Sequence, residues 1–148
     1  MKTYFDSSVL VSLLCAHSKF KAAADAALVD AAGKAFTSTH ALAETYRTLT
    51  TLQYPIPPAA AFKLVVGLKS NLRMVDLHLA VYHAALAEVS RQGLAGAIVY
   101  DAVHCFAARK EGAARIVTRN APHFRLFSGT LEVVELAAWN PRPDFRKI

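Results

Sequence analysis

The chain has 148 residues, 54% of them hydrophobic, which suits one buried core and leaves little length for a second domain. Its 17 Lys and Arg against 11 Asp and Glu give a formal charge of +6, which favours an anionic partner such as RNA or an acidic polypeptide. No run approaches the roughly 18 uninterrupted apolar residues of a membrane span, and Met1-Lys2-Thr3-Tyr4-Phe5-Asp6 lacks a signal-peptide pattern, so a soluble, cytoplasmic protein without a membrane partner is expected.

Lys2 to Phe5 is a short β-favouring run that ends in Asp6-Ser7-Ser8, after which Val9, Leu10, Leu13 and Leu14 recur at helical spacing. An Ala-rich helical pattern follows from Phe20 to Leu28, with Gly33 as its expected C-cap. Residues 35–39 read as a second strand, and Ser38 or Thr39 should cap a helix carrying Leu42, Tyr46 and Leu49 on one stripe. Pro55, Pro57 and Pro58 mark a turn into a helix through Phe62 to Leu68. Residues 74–78 are the third strand candidate, followed by helices over 79–91 and 97–111 separated by Gly93 and Gly96. Residues 114–118 and 131–136 supply strands four and five. Residues 1–138 thus form one domain, and 139–148 a tail without periodic pattern.

Strands alternating with helices predict an α/β domain with a mostly parallel sheet and helices on both faces. Such sheets bind ligands beyond the carboxyl ends of their strands. Three acids fall near that edge: Asp6 closes strand one, Glu44 lies in the second turn of the helix after strand two, and Asp101 lies in the first turn of the helix before strand four. Asn120 follows strand four in Thr118-Arg119-Asn120. Each has a plain alternative, since Asp6 can cap a helix, Asp101 can favour a helix N-terminus and Glu44 can pair with Arg47. Gathered together, three carboxylates call for a cation, and oxygen ligands without Cys or paired His select Mg²⁺ or Mn²⁺. The chemistry that follows is metal-assisted attack of water on a phosphodiester.

In this order, Tyr4-Phe5-Asp6-Ser7-Ser8-Val9-Leu10, Ala43-Glu44-Thr45-Tyr46-Arg47, Tyr100-Asp101-Ala102 and Ile116-Val117-Thr118-Arg119-Asn120 with Phe124 resemble the PIN domain, and within it the VapC-like toxins. The resemblance spans Lys2 to about Leu136. It implies a three-layer fold with a five-stranded parallel sheet, a Mg²⁺- or Mn²⁺-dependent endoribonuclease, a cognate antitoxin partner and a homodimer. It also implies that Asp6, Glu44 and Asp101 bind the metal and that Asn120 fills the family's later polar position. Many relatives carry Asp there, and an amide contributes no charge, so one firmly held ion is expected.

Ser7, Ser8 and Thr118 are expected to support the site through hydroxyl groups, and Arg47 and Arg119 to meet the RNA backbone. His104 reads as a packed or hydrogen-bonded helix residue and His123 as a loop residue. His17, His40, His78 and His83 are scattered without zinc-ligand spacing, and Cys15 and Cys105 read as reduced core thiols. Two other readings stand beside the nuclease. One is a catalytically degenerate PIN-fold module that binds RNA or protein. The other makes Asp6 a phosphorylated aspartate, which the lack of a lysine after the late strands disfavours.

Overall fold

The computed structural model describes residues 1–139. Five strands, β1 (Thr3–Phe5), β2 (Ala35–Ser38), β3 (Arg73–Val75), β4 (Arg115–Thr118) and β5 (Glu132–Glu135), form one sheet in the order β3-β2-β1-β4-β5. Every pairing is parallel, with Tyr4 opposite both Phe36 and Ile116. Among the described residues seven α-helices connect them: α1 (Ser7–Leu14), α2 (Lys21–Asp30), α3 (Thr39–Thr50), α4 (Pro58–Gly67), α5 (Leu79–Arg91), α6 (Ile98–Lys110) and α7 (Ala121–Arg125).

Alternation along the inner strands sends neighbouring side chains to opposite faces. Tyr4, Phe36 and Ile116 join Val81, Ala85, Val103 and Phe124 in one cluster, which packs α5, α6 and α7 on the sheet. Phe5, Ala35 and Val117 join Val9, Leu10, Ala24, Ala27 and Ala41 in the other, which packs α1, α2 and α3. Both faces are covered, so β1, β2 and β4 are buried throughout, as a central parallel strand requires. The three-layer α/β class is therefore as expected.

The differences are local. β3 begins one residue earlier than expected and ends at Val75, because Asp76-Leu77-His78 leads into α5 instead of extending the strand. Ser38 sits at the N-cap of α3 but makes no side-chain cap bond; its hydroxyl pairs with Tyr4 Oη at 2.8 Å. α7 is unanticipated, since Pro122 breaks a helical pattern in sequence yet is tolerated in the first turn, where its missing N–H has no helical partner to lose. Among the described residues no helix is long and apolar enough to cross a membrane. Cys15 and Cys105 are both free thiols. Apart from Trp139, the tail lies outside the described residues.

Candidate active site

The chain reaches the carboxyl edge of the sheet first at Asp6, directly after the central strand. Its side chain is 3% exposed and caps α1, with Oδ1 accepting from Val9 N–H at 3.1 Å and from Ser8 Oγ at 2.6 Å. Oδ2 accepts from Thr118 Oγ1 at 2.8 Å across the β1–β4 pairing. The plain reading of Asp6 as a helix cap therefore holds, and the cap places its carboxylate at the carboxyl edge of the sheet. Thr118 Oγ1 in turn accepts from Asn120 N–H at 3.0 Å, and Ser8 Oγ from Arg119 N–H at 3.0 Å, which ties the segment after β4 to the start of α1. Burial raises the Asp6 carboxyl above the usual carboxylate range, although His104, Ser8, Thr118 and Val9 pull it down.

Asp101, in the first turn of α6, is partly buried. Burial raises its carboxyl, His123 and His104 lower it, and the nearby charge of Asp6 raises it again. Its Oδ2 lies 3.1 Å from His123 Nδ1, and Asn120 Nδ2 lies 2.7 Å from the same nitrogen. His123, expected in a loop, stands on α7 and links Asp101 to Asn120.

Glu44 does not make its alternative pair with Arg47; instead Oε1 lies 2.7 Å from His104 Nε2 and 3.0 Å from His40 Nε2. Oε2 accepts from Ser7 Oγ at 3.3 Å, which joins Glu44 to the residue after Asp6. Burial pushes the Glu44 carboxyl up, but the hydrogen bond from His104 and the close approach of both His104 and His40 outweigh it and hold it at about 2. For His104, 1% exposed, burial opposes protonation while Glu44, Asp6 and Asp101 favour it, and the net shift is upward. His104 Nδ1 lies 2.7 Å from Tyr4 Oη. The expectation of a site free of paired histidines is thus corrected: among the described residues, the tight group of potential ligand atoms is His40, Glu44 and His104. One clue was legible, because His40 and Glu44 are four residues apart on a predicted helix. The approach of His104 depends on packing across the sheet edge.

A cavity of about 660 Å³ opens beside these residues, lined by Glu44, Arg47, Asp101, Asn120 and His123 together with His40. Arg119 stands apart, with its guanidinium 4.1 Å from the Phe20 ring centroid. A second cavity, about 390 Å³, lies at the opposite ends of the strands among Lys2, Lys34, Phe36 and Arg73, away from the carboxylates.

The sequence matches the family model described as the PIN domain over residues 3–126. Among curated proteins none matches it. Several solved structures share the fold. A DNA-bound VapBC from Salmonella typhimurium aligns with TM-score 0.70 at 18% identity, covering 92% of this chain and 98% of that one. VapC20 of Mycobacterium tuberculosis, described as a sarcin-ricin loop cleaving toxin, aligns with TM-score 0.65 at 19% identity over 77% of this chain and 86% of that one. PAE2754 of Pyrobaculum aerophilum gives TM-score 0.63 at 19% identity, over 93% and 98%.

Proposed function

The chain belongs to the PIN-domain family, and from that membership we propose that it is a metal-dependent endoribonuclease, the toxin of a toxin–antitoxin pair acting in the cytoplasm. The observation that carries this reading is the placing of Asp6 and Asp101, at the end of β1 and in the first turn of α6, close enough that the charge of Asp6 acts on Asp101 and both ionise less readily than ordinary carboxyls. Both carboxyls are pushed up by burial, and Asp101 further by the charge of Asp6. A pair of acids held at such an electrostatic cost is relieved by a divalent cation. Oxygen donors suit Mg²⁺ or Mn²⁺. Asp6 and Asp101 would hold the ion, with Glu44 Oε2 as a third donor and Asn120 as a neutral one.

A divalent cation held by these residues would supply charge neutralisation at the scissile phosphate and activation of an attacking water. The chain's own residues do the rest. Thr118, Ser8 and the α1 backbone fix the Asp6 carboxylate from three sides, so it does not reorganise when substrate enters. Ser7 holds Glu44 Oε2. Arg47 places positive charge on the cavity wall, where a phosphodiester backbone would lie.

The toxin assignment leans on neighbours described as VapBC complexes, in Salmonella typhimurium and in Rickettsia felis. A cognate antitoxin and a second copy of this chain are the partners proposed. The test is cleavage of structured RNA with added Mg²⁺ or Mn²⁺. Wild-type protein should cut, EDTA should stop it, and Asp6→Asn should lower the rate by at least about 100-fold. Cutting that persists in EDTA would overturn the reading.

The engagement of Glu44 Oε1 by two histidines, together with the neutral Asn120, favours one alternative, a PIN-fold module that binds RNA or protein without cutting. Calorimetry separates the two. A catalytic site takes up Mn²⁺ in a manner abolished by Asp101→Asn, and a degenerate one takes up none at those acids.

A further inference from the structure

His40 and Glu44 share one face of α3, and His104 reaches them from α6. Two imidazole nitrogens converge on a single carboxylate oxygen, with His104 Nε2 at 2.7 Å and His40 Nε2 at 3.0 Å from Glu44 Oε1. One donor atom from each of the three residues lies within 4.8 Å of the other two. Two imidazoles and a carboxylate are a donor set for zinc, cobalt and similar transition ions, whereas magnesium prefers oxygen alone.

Two further observations set this group apart from an ordinary hydrogen-bond network. Both rings are held from behind by tyrosine hydroxyls, His104 Nδ1 by Tyr4 Oη at 2.7 Å and His40 Nδ1 by Tyr82 Oη at 3.2 Å. Outer hydrogen bonds of this kind orient ligating histidines and leave the far nitrogen for the ion. In addition, His40 Nε2 is shielded from solvent yet has no aligned hydrogen-bond partner, since its 3.0 Å approach to Glu44 is off the line of an N–H···O bond. A buried nitrogen left in that state calls for a partner.

We propose that His40 Nε2, His104 Nε2 and Glu44 Oε1 form a binding site for one zinc-like transition cation, beside the carboxylate pair of Asp6 and Asp101. The cavity gives access, because His40 and Glu44 both line it and His104 lies directly behind them. On binding, any proton on either Nε2 leaves to solvent, and each Nδ1–H donates to its tyrosine hydroxyl. Ligand atoms around a tetrahedral ion at about 2.0 Å stand about 3.3 Å apart, so the two approaches of 2.7 and 3.0 Å to Glu44 Oε1 need to open only slightly. Water from the cavity completes the coordination. Glu44 Oε2 remains with Ser7.

The assignment does not rest on RNA cleavage, and its test reads binding alone. Full-length protein stripped with EDTA is titrated with Zn²⁺ in a calorimeter and with Co²⁺ by visible absorption. With excess Mg²⁺ present to occupy the carboxylates, wild-type protein should take up one tight equivalent, with Co²⁺ bands of a tetrahedral nitrogen–oxygen site. His40→Gln, at a partly exposed helix position, should lower the affinity by at least about tenfold while leaving the thermal melt intact, and Asp101→Asn should leave the affinity unchanged. Absence of saturable uptake, wild-type affinity in His40→Gln, or loss of uptake in Asp101→Asn would each overturn the site. The last result would put the ion among the carboxylates instead.

Discussion

At Asp6 a helix cap and a candidate ligand are the same side chain. Its sequence context, a β-favouring run followed by Asp-Ser-Ser, was enough to mark the position. What the sequence could not show is that Thr118, 112 residues on, holds the other oxygen. Because burial raises the Asp6 carboxyl, ionising it costs folding free energy above its ordinary pKa of 3.8. Asp6→Asn should therefore raise Tm at neutral pH while lowering cleavage by at least about 100-fold, a trade checked by calorimetry and the RNA assay on one preparation. Thr118→Val keeps the shape but leaves Asp6 Oδ2 and the Asn120 amide without this partner; about 1–3 kcal/mol of stability should be lost in urea titrations. Glu44 carries the opposite sign. Its carboxyl, held at about 2 against an ordinary 4.5, contributes stability that is full above 4.5 and drains away as pH falls between those values. Glu44→Gln should flatten that part of the acid-unfolding curve. His104, shifted upward, contributes below its ordinary 6.5 and loses that contribution as pH rises through its folded-state value.

Elements were legible where periodicity was long. α5 runs over Leu79–Arg91 as the pattern predicts, because thirteen residues carry enough turns to declare a face. Short elements were less so: β3, three residues long, was read with shifted bounds and α7, five residues long, was missed, and each is held by what it packs against. For α7 that is Phe124, 1% exposed and stacked on His104 at 6.2 Å between ring centroids. This explains why His123 looked like a loop residue in sequence and yet stands fixed beside Asp101. The loop before α6 tests how rigidly that helix presents Asp101. Gly96 has φ of 82°, and a Cβ there would meet nothing within 4 Å, so Gly96→Ala isolates the backbone cost. It should lower stability by about 1–2 kcal/mol through conformation alone, measured by urea denaturation.

Across the whole molecule, the class of fold followed from the alternation of strands and helices, and the expectation that Asp6, Glu44 and Asp101 meet followed from putting parallel strand ends on one edge. The histidine cluster did not, since it unites α3 with α6 through packing on the Tyr4 side of the sheet. The charge of +6 belongs to this scale too. If RNA is the substrate, its complex with the uncleaving Asp6→Asn variant should weaken by at least about tenfold as salt rises from about 50 to about 200 mM, as followed by fluorescence anisotropy; indifference to salt would argue against backbone contacts. The strand order has one more outcome. β1 is the first strand to be synthesised and occupies the middle of the sheet, yet the strand that completes its second edge is β4. During synthesis Asp6 therefore emerges well before Asp101 and Thr118, and its carboxylate lacks the Thr118 hydroxyl until β4 has been made and has paired with β1.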